Sequence, residues 1–283
     1  MNNFEYANYE LGELINDGEF GENVKQLTKQ VGKISDADYY CKCLDLWLRD
    51  TKQFGKENVK IFISIFLKII NESLKVDAEK TIYELTSFLE GNDINDRAET
   101  ISSYNEYMIY HKTFLEELAK KSDEGKSIKN IKQVSSALIN AYSKGVEYIS
   151  KIYSLIDILF YIIDERKIDI NKINKKTLYE KCNDIKSRKV PEYNILVDSI
   201  DRNIRNADAH LNIYFNVNEG VYVYKLLRKN KWKYIKVSAT DMIINIYPKI
   251  GWIIQGFIYA ISLLIIASED KDKFIEYFYK IFK

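Results

Sequence analysis

The sequence predicts a mainly α-helical protein, and three observations carry that expectation. Prolines and glycines are scarce, two and eleven in 283 residues, so little interrupts a helix. Apolar residues recur mostly three and four apart, the spacing that gathers one face of a helix. Hydrophobic residues make up 46% and charged residues 29%, a balance that builds a core rather than a disordered chain. One departure is expected late in the chain, where a small β-hairpin or three-stranded meander is inserted into the bundle.

Residues 1–20 carry Glu5, Glu10, Glu13, Asp17 and Glu19 without a basic residue, while Tyr6, Leu11, Leu14 and Ile15 give them an apolar helical face. No basic or apolar leader segment opens the sequence, so no signal peptide is expected. A second helix is expected over 22–31. Ser35 or Asp36 caps a third, over 39–53, with Cys43, Leu44, Trp47 and Leu48 inward, and Gly55 breaks it. The run 59–70 is very apolar, but Lys60 and Lys68 leave it too short to span a bilayer, so it reads as a buried helix. Further helices are expected over 77–89, 98–121 and 128–166. The polar stretch 122–127 around Gly125 reads as the domain boundary. That gives a helical N-terminal region over 1–125, whose role no motif indicates, and a second bundle over 126–283.

From Lys172 to Lys189 the chain is basic, with seven Lys or Arg against Glu180 and Asp184. Pro191 suits the first turn of a helix and opens one that runs to His210. Beyond it, 213–217 and 221–224 alternate around Asn218-Glu219-Gly220, and 232–237 adds a possible third strand, which places the β insertion at about 212–237. The segment 225–236 holds Lys225, Arg228, Lys229, Lys231, Lys233 and Lys236 and no acid. Ser238 and Asp241 read as a capping box opening a long final helix. Within it, 250–268 has no charge over a length that fits either a bundle centre or a membrane span. Residues 274–282 form a short amphipathic tail.

The net charge of +1 gives no global pull on a polyanion, so any nucleic acid must be held by a local patch. Cys41, Cys43 and Cys182 are an odd, scattered set, read as reduced thiols in a cytoplasmic protein. Metal-ligand clusters, glycine-rich phosphate loops and nucleophile elbows are missing from the sequence. Neither a metal nor another cofactor is expected.

One polar run stands apart. On the helix expected to close at His210, Leu196, Ile200, Ile204, Ala207 and Leu211 share an apolar stripe, while Arg202, Asn206 and His210 follow each other on a different face. A solvated face usually carries lysine and glutamate; this one carries groups that bind phosphate and move protons. The spacing Arg205-Asn206-Ala207-Asp208-Ala209-His210 resembles the R-x4-H signature of HEPN-domain ribonucleases, with a polar residue directly after the arginine. The resemblance covers about 126–283, and the strands after the motif depart from it. It implies a helical bundle and metal-independent RNA cleavage by a homodimer or paired domains. The family serves in phage defence, including abortive infection, in toxin–antitoxin systems and in CRISPR effectors. An antitoxin or regulatory protein is therefore a further expected partner.

The chemistry asks for the same groups. Metal-free cleavage needs a base for the ribose 2′-hydroxyl and a cation for the charge that builds on the phosphorane. Histidine's ordinary pKa of about 6.5 suits the first, and a permanently charged arginine fork suits the second. Asn206 hydrogen-bonds phosphate or holds the imidazole. On a straight helix Arg205 and His210 lie about 140° apart, so a composite site from two copies is the favoured geometry. Arg205, Asn206 and His210 are the expected catalytic residues; Arg202, Lys225, Arg228, Lys229, Lys231 and Lys233 are the expected RNA contacts. Competing readings stay open. His210 can serve as a helix C-cap, with Arg205 paired to Asp201 or Asp208. The fold can be a non-catalytic module binding RNA, nucleotide or protein, or a defence protein anchored through 250–268. His111, among tyrosines, reads as a packed histidine.

Overall fold

The computed structural model describes residues 3–16, 20, 24, 26–91, 97–124, 127–228 and 231–283. It is 76% helical with one small antiparallel sheet, the fold class the sequence predicts. The first helices are α1 (Asn3–Leu14), α2 (Asp36–Arg49), α3 (Lys56–Val76), α4 (Ala78–Glu90), α5 (Arg97–Glu124) and α6 (Ile128–Ile163). The short helices α7 (Ile170–Asn174), α8 (Leu178–Ser187), α9 (Pro191–Asp198) and α10 (Arg202–Ala209) follow. Strands β1 (Ile213–Asn216), β2 (Val221–Arg228) and β3 (Lys231–Ser238) lead to α11 (Ala239–Asp241), a π turn at Met242–Ile246, α12 (Pro248–Glu269) and α13 (Lys271–Phe282). Contacts divide the chain into two compact units, each assembled from separate segments. One comprises Met1–Ile101, Ser154–Lys175 and Trp252–Lys283; the other comprises Ser102–Tyr153 and Lys176–Gly251.

In the first unit the chain breaks where its residues require it. The Ser35 side chain accepts the Asp38 amide at the start of α2, and the Asp77 carboxylate does the same for Lys80 at the start of α4. Gly55 precedes α3 at φ 82°, and a Cβ there would collide with Trp252, so glycine is required twice over. The helix expected over 22–31 is, in its described part, a 3-10 turn at Thr28–Gln30. Successive three-residue bonds, Leu27 to Val24 and Gln30 to Leu27, match the three-residue spacing of the buried Val24 and Leu27. Tyr259 of α12 lies 4.5 Å from the rings of both Phe20 and Trp47, and Phe257 sits between Phe66 and Phe88. A Cβ at Gly256 would collide with Phe62 of α3, so these helices meet at a backbone contact. With its preceding turns, α12 is long and apolar enough to cross a membrane, yet 72% of its most apolar window is buried inside the protein. Its apolar surface is thus largely taken up by packing.

The second unit is built on the first half of α6, which buries Tyr142, Val146, Tyr148 and Ile149 completely. Tyrosine hydroxyls tie the shorter pieces to it. Tyr153 donates to the Leu196 carbonyl of α9 at 2.6 Å, and Tyr222 of β2 donates to the Ser135 carbonyl at 3.0 Å. The basic run 172–189 is mostly helix: Thr177 and Glu180 form a capping box at the head of α8. Lys181 is buried and donates to Ser150. Lys176 pairs with Asp184, and Lys186 with Asp198. Much of this positive charge is therefore spent within the fold. The sheet has the order β1-β2-β3, with Tyr214 opposite Val223, Lys225 opposite Tyr234 and Leu227 opposite Trp232.

Candidate functional site

The motif does not lie on one helix from Pro191, as the sequence suggested. Asp201 leaves helical geometry at φ −91° and ψ 96°, and its carboxylate accepts the Asn203 amide. The Tyr142 hydroxyl clamps this break, accepting from the Asp201 amide at 2.8 Å and donating to its carbonyl at 3.1 Å. A capping aspartate therefore starts a fresh helix, α10, whose first residue is Arg202 and whose C-cap is His210. Because Ile200 lies in the break, the apolar stripe is carried across two helices. Ile204 and Ala207 are buried as expected, but Leu211 is 91% exposed.

The cause lies in the helix ending. Leu211 adopts φ 54°; its amide bonds the Asp208 carbonyl, and the Asn212 amide bonds that of Ala207. This paired bonding closes a helix through a left-handed residue, a position that glycine usually fills. A leucine there is strained by roughly 1 kcal/mol and points out of the core. His210, just before it, has φ −101° and ψ 11°, but its amide still bonds the Asn206 carbonyl, so it keeps its place on the last turn, about 140° around the axis from Arg205. The His210 imidazole is exposed, and its ring makes no hydrogen bond among the described residues.

Arg205 is held by a residue the motif did not include. Its Nε donates to Glu147 Oε1 of α6 at 2.6 Å, and its Nη2 donates to the same oxygen. Its Nη1 donates to Asn206 Oδ1 at 3.2 Å. Neither Asp201 nor Asp208, the partners that the competing helix-cap reading offered, is the acceptor in these bonds. A guanidinium carries five N–H donors, so three bonds leave one N–H on each terminal nitrogen. Asn206 is exposed, with its amide oxygen turned to Arg205 and its NH2 unbonded among the described residues. The arrangement offers a fixed cation, a neutral donor and a solvent-facing imidazole within one short helix and its cap. Glu147 had one sequence signal: it is the only acid between Glu124 and Asp157, on a helix that is otherwise apolar and neutral or basic there.

Arg202 stands at the other end of α10, about 12 Å along the axis from His210. Its guanidinium stacks 4.7 Å from the Tyr179 ring centre, and its buried Nη1 has no hydrogen-bond partner among the described residues. With Lys186, Asp198, Asn203 and Lys249 it lines an open polar groove of about 370 Å³. Lys225, Lys231 and Lys233 are exposed, but strand alternation splits them. Lys225 shares a sheet face with Trp232 and Tyr234, and Lys231 and Lys233 lie on the opposite face. Lys229 and the side chain of Arg228 lie outside the described residues.

His111 takes the packed role expected of it. Its Nδ1 lies 2.6 Å from the Tyr247 hydroxyl and its ring stacks on Tyr107; burial, aided by Lys112, pushes its pKa down to about 4. The three cysteines are free and buried, and burial raises each thiol's pKa. Among the described residues no cluster of histidine, cysteine and carboxylate groups is placed to hold a metal. Comparison with protein-family models, curated protein sequences and solved structures returns no match.

Proposed function

We propose that this chain is a metal-independent endoribonuclease of the HEPN type, acting as a homodimer with a composite site. The observation that carries the reading is the state of the motif residues on α10. The imidazole of His210 is open to solvent and without a hydrogen-bond partner among the described residues, while Arg205 is fixed by Glu147 and Asn206 through three of its five N–H groups. In the proposed reaction His210 takes the proton from a ribose 2′-hydroxyl, and the oxygen attacks the adjacent phosphorus. The O5′ leaves with a proton taken from solvent water, and His210 gives its own proton back to solvent, leaving 2′,3′-cyclic phosphate and 5′-hydroxyl ends. The remaining N–H groups of Arg205 and the Asn206 amide stabilise the charge that develops on the phosphorane. The exposed, strained Leu211 beside His210 supports pairing of two copies here, since a second chain would cover it. Phage defence or a toxin–antitoxin role follows from the family resemblance, with an antitoxin or regulatory protein as the restraining partner.

A non-catalytic RNA- or protein-binding module is the second reading. The Arg205–Glu147 pair favours it, because a neutralised guanidinium stabilises new negative charge less well. Two variants separate these readings. Arg205→Ala and His210→Ala should fold, both lying off the buried stripe, and each should lose most cleavage without additivity. If the working pair is drawn from two subunits, a heterodimer of the two variants regains part of the activity, since one of its sites pairs both intact residues. Cleavage undiminished in either single variant would remove these residues from the mechanism.

A further inference from the structure

The face of the sheet opposite Tyr222 and Tyr224, with only Val223 buried at its centre, carries an unexpected composition among its exposed residues. Strand register places Tyr214, Lys225, Leu227, Trp232, Tyr234 and Lys236 on one side of β1-β2-β3. Tyr214 is 58% exposed, Trp232 60%, Tyr234 61% and Leu227 56%, while Tyr222 and Tyr224 on the other side are buried. Three open aromatic rings on one small sheet are not what solvent selects. A strand face that only meets water carries polar residues.

The charge around the rings narrows the occupant. Lys225 Nζ sits 5.6 Å from the centre of the Tyr234 ring, and Lys236 borders the same face with Glu219 as its ion partner. Between Lys225 and Lys236 the sequence holds no acid. Protein–protein interface cores favour tyrosine and tryptophan but are depleted in lysine. Rings interleaved with lysines suit a polymer that offers flat bases and a negative backbone. Bases are free to stack on side chains only where they are not already stacked within a duplex.

We infer that this face is a stacking platform for single-stranded RNA, with Trp232 and Tyr234 as principal rings, Tyr214 as a third and Lys225 on the phosphates. The identity of the polymer rests on the ribonuclease reading; the existence of the platform does not. Tyr214 is four residues beyond His210, so their Cα atoms lie within about 14 Å. A strand seated on the rings therefore reaches the proposed catalytic end of α10 within a few nucleotides. The platform selects unpaired RNA and the motif cuts beside it.

The test measures binding in a His210→Ala background, so that cleavage does not interfere, using labelled oligoadenylate, oligouridylate and a blunt RNA duplex. Both single strands should bind more tightly than the duplex. Adding Trp232→Ala should weaken single-strand binding about tenfold with an unchanged slope against salt, because stacking releases no counterions. Trp232→Phe should keep most of the affinity. Trp47 is buried and Trp252 half-buried, so quenching of tryptophan fluorescence on binding should largely vanish in Trp232→Phe. Unchanged affinity in Trp232→Ala, with circular dichroism showing intact folding, overturns the platform, and so does preference for the duplex. Self-association lost in Trp232→Ala, with no oligonucleotide bound by the parent, would make the face a protein interface instead. Failure of the two ideas stays distinct. Cleavage with ring-independent binding removes the platform alone, and ring-dependent binding without cleavage by the His210-intact protein removes the nuclease alone.

Discussion

Glu147→Gln is the most informative single change at the site. Glu147 neutralises Arg205 through two donors to one carboxylate oxygen, and glutamine keeps the shape while removing the charge. The Arg205 and Glu147 side chains are 31% and 43% exposed, so water screens the pair and its net stabilisation is about 1 kcal/mol. Thermal unfolding should shift down by roughly 2 °C. RNA binding should move the other way. One additional uncompensated cation facing phosphate should steepen the single-strand salt dependence, log K against log salt, by about 0.7. At low salt it should tighten binding about fivefold, the equivalent of about 1 kcal/mol. Cleavage should fall about tenfold, because the guanidinium loses the contact that fixes it and misplacement is costly in a preorganised site. Anisotropy of a labelled single strand over a potassium chloride series, in a His210→Ala background, reads the first effect. Single-turnover cleavage with His210 intact reads the second. An unchanged salt slope with unchanged affinity would mean that Arg205 does not face the RNA backbone.

Three further changes test the frame around the site. Leu211→Gly relieves the left-handed backbone and should stabilise the protein by about 1 kcal/mol in urea titration; destabilisation would contradict the ending assigned to α10. Tyr142→Phe strips the hydroxyl that both donates to and accepts from the Asp201 backbone. It should cost about 1–3 kcal/mol and lower cleavage by loosening the start of α10, whereas a neutral effect on both would remove the clamp. His111 gives a pH signature: its folded pKa is depressed to about 4, so the unfolded chain takes up the proton first as pH falls. Its contribution is fully present above about pH 6.5 and lost between about 6.5 and 4, on the order of 3 kcal/mol in all. His111→Gln should flatten the fall of the urea midpoint across that window, and an undiminished fall would assign it to other groups.

The fold class was legible because scarce glycine and proline and three-and-four spacing are local signals, and the alternation after His210 marked the sheet directly. The break at Asp201 was harder. Its polar side chain reads equally as a helix surface residue, and what decides the matter is the Tyr142 hydroxyl, 59 residues away. Leu211 misled for a related reason: apolar periodicity continues through it, while the helix itself ends at His210. Arg205 was visible as a candidate but its partner was not, since Glu147 lies 58 residues earlier and only long-range packing brings them together. The lysines of 225–236 looked like one patch in sequence. Strand alternation divides them between two faces and turns attention to the rings between them.

Metal-free cleavage by 2′-hydroxyl attack leaves a signature in the chemistry of the product ends. Purified protein should cut an end-labelled single-stranded RNA in EDTA, and the fragments should carry 2′,3′-cyclic phosphate and 5′-hydroxyl termini. The same preparation carrying His210→Ala should leave the RNA intact. Strict dependence on Mg²⁺ or Mn²⁺, or fragments ending in 3′-hydroxyl and 5′-phosphate, would contradict the account.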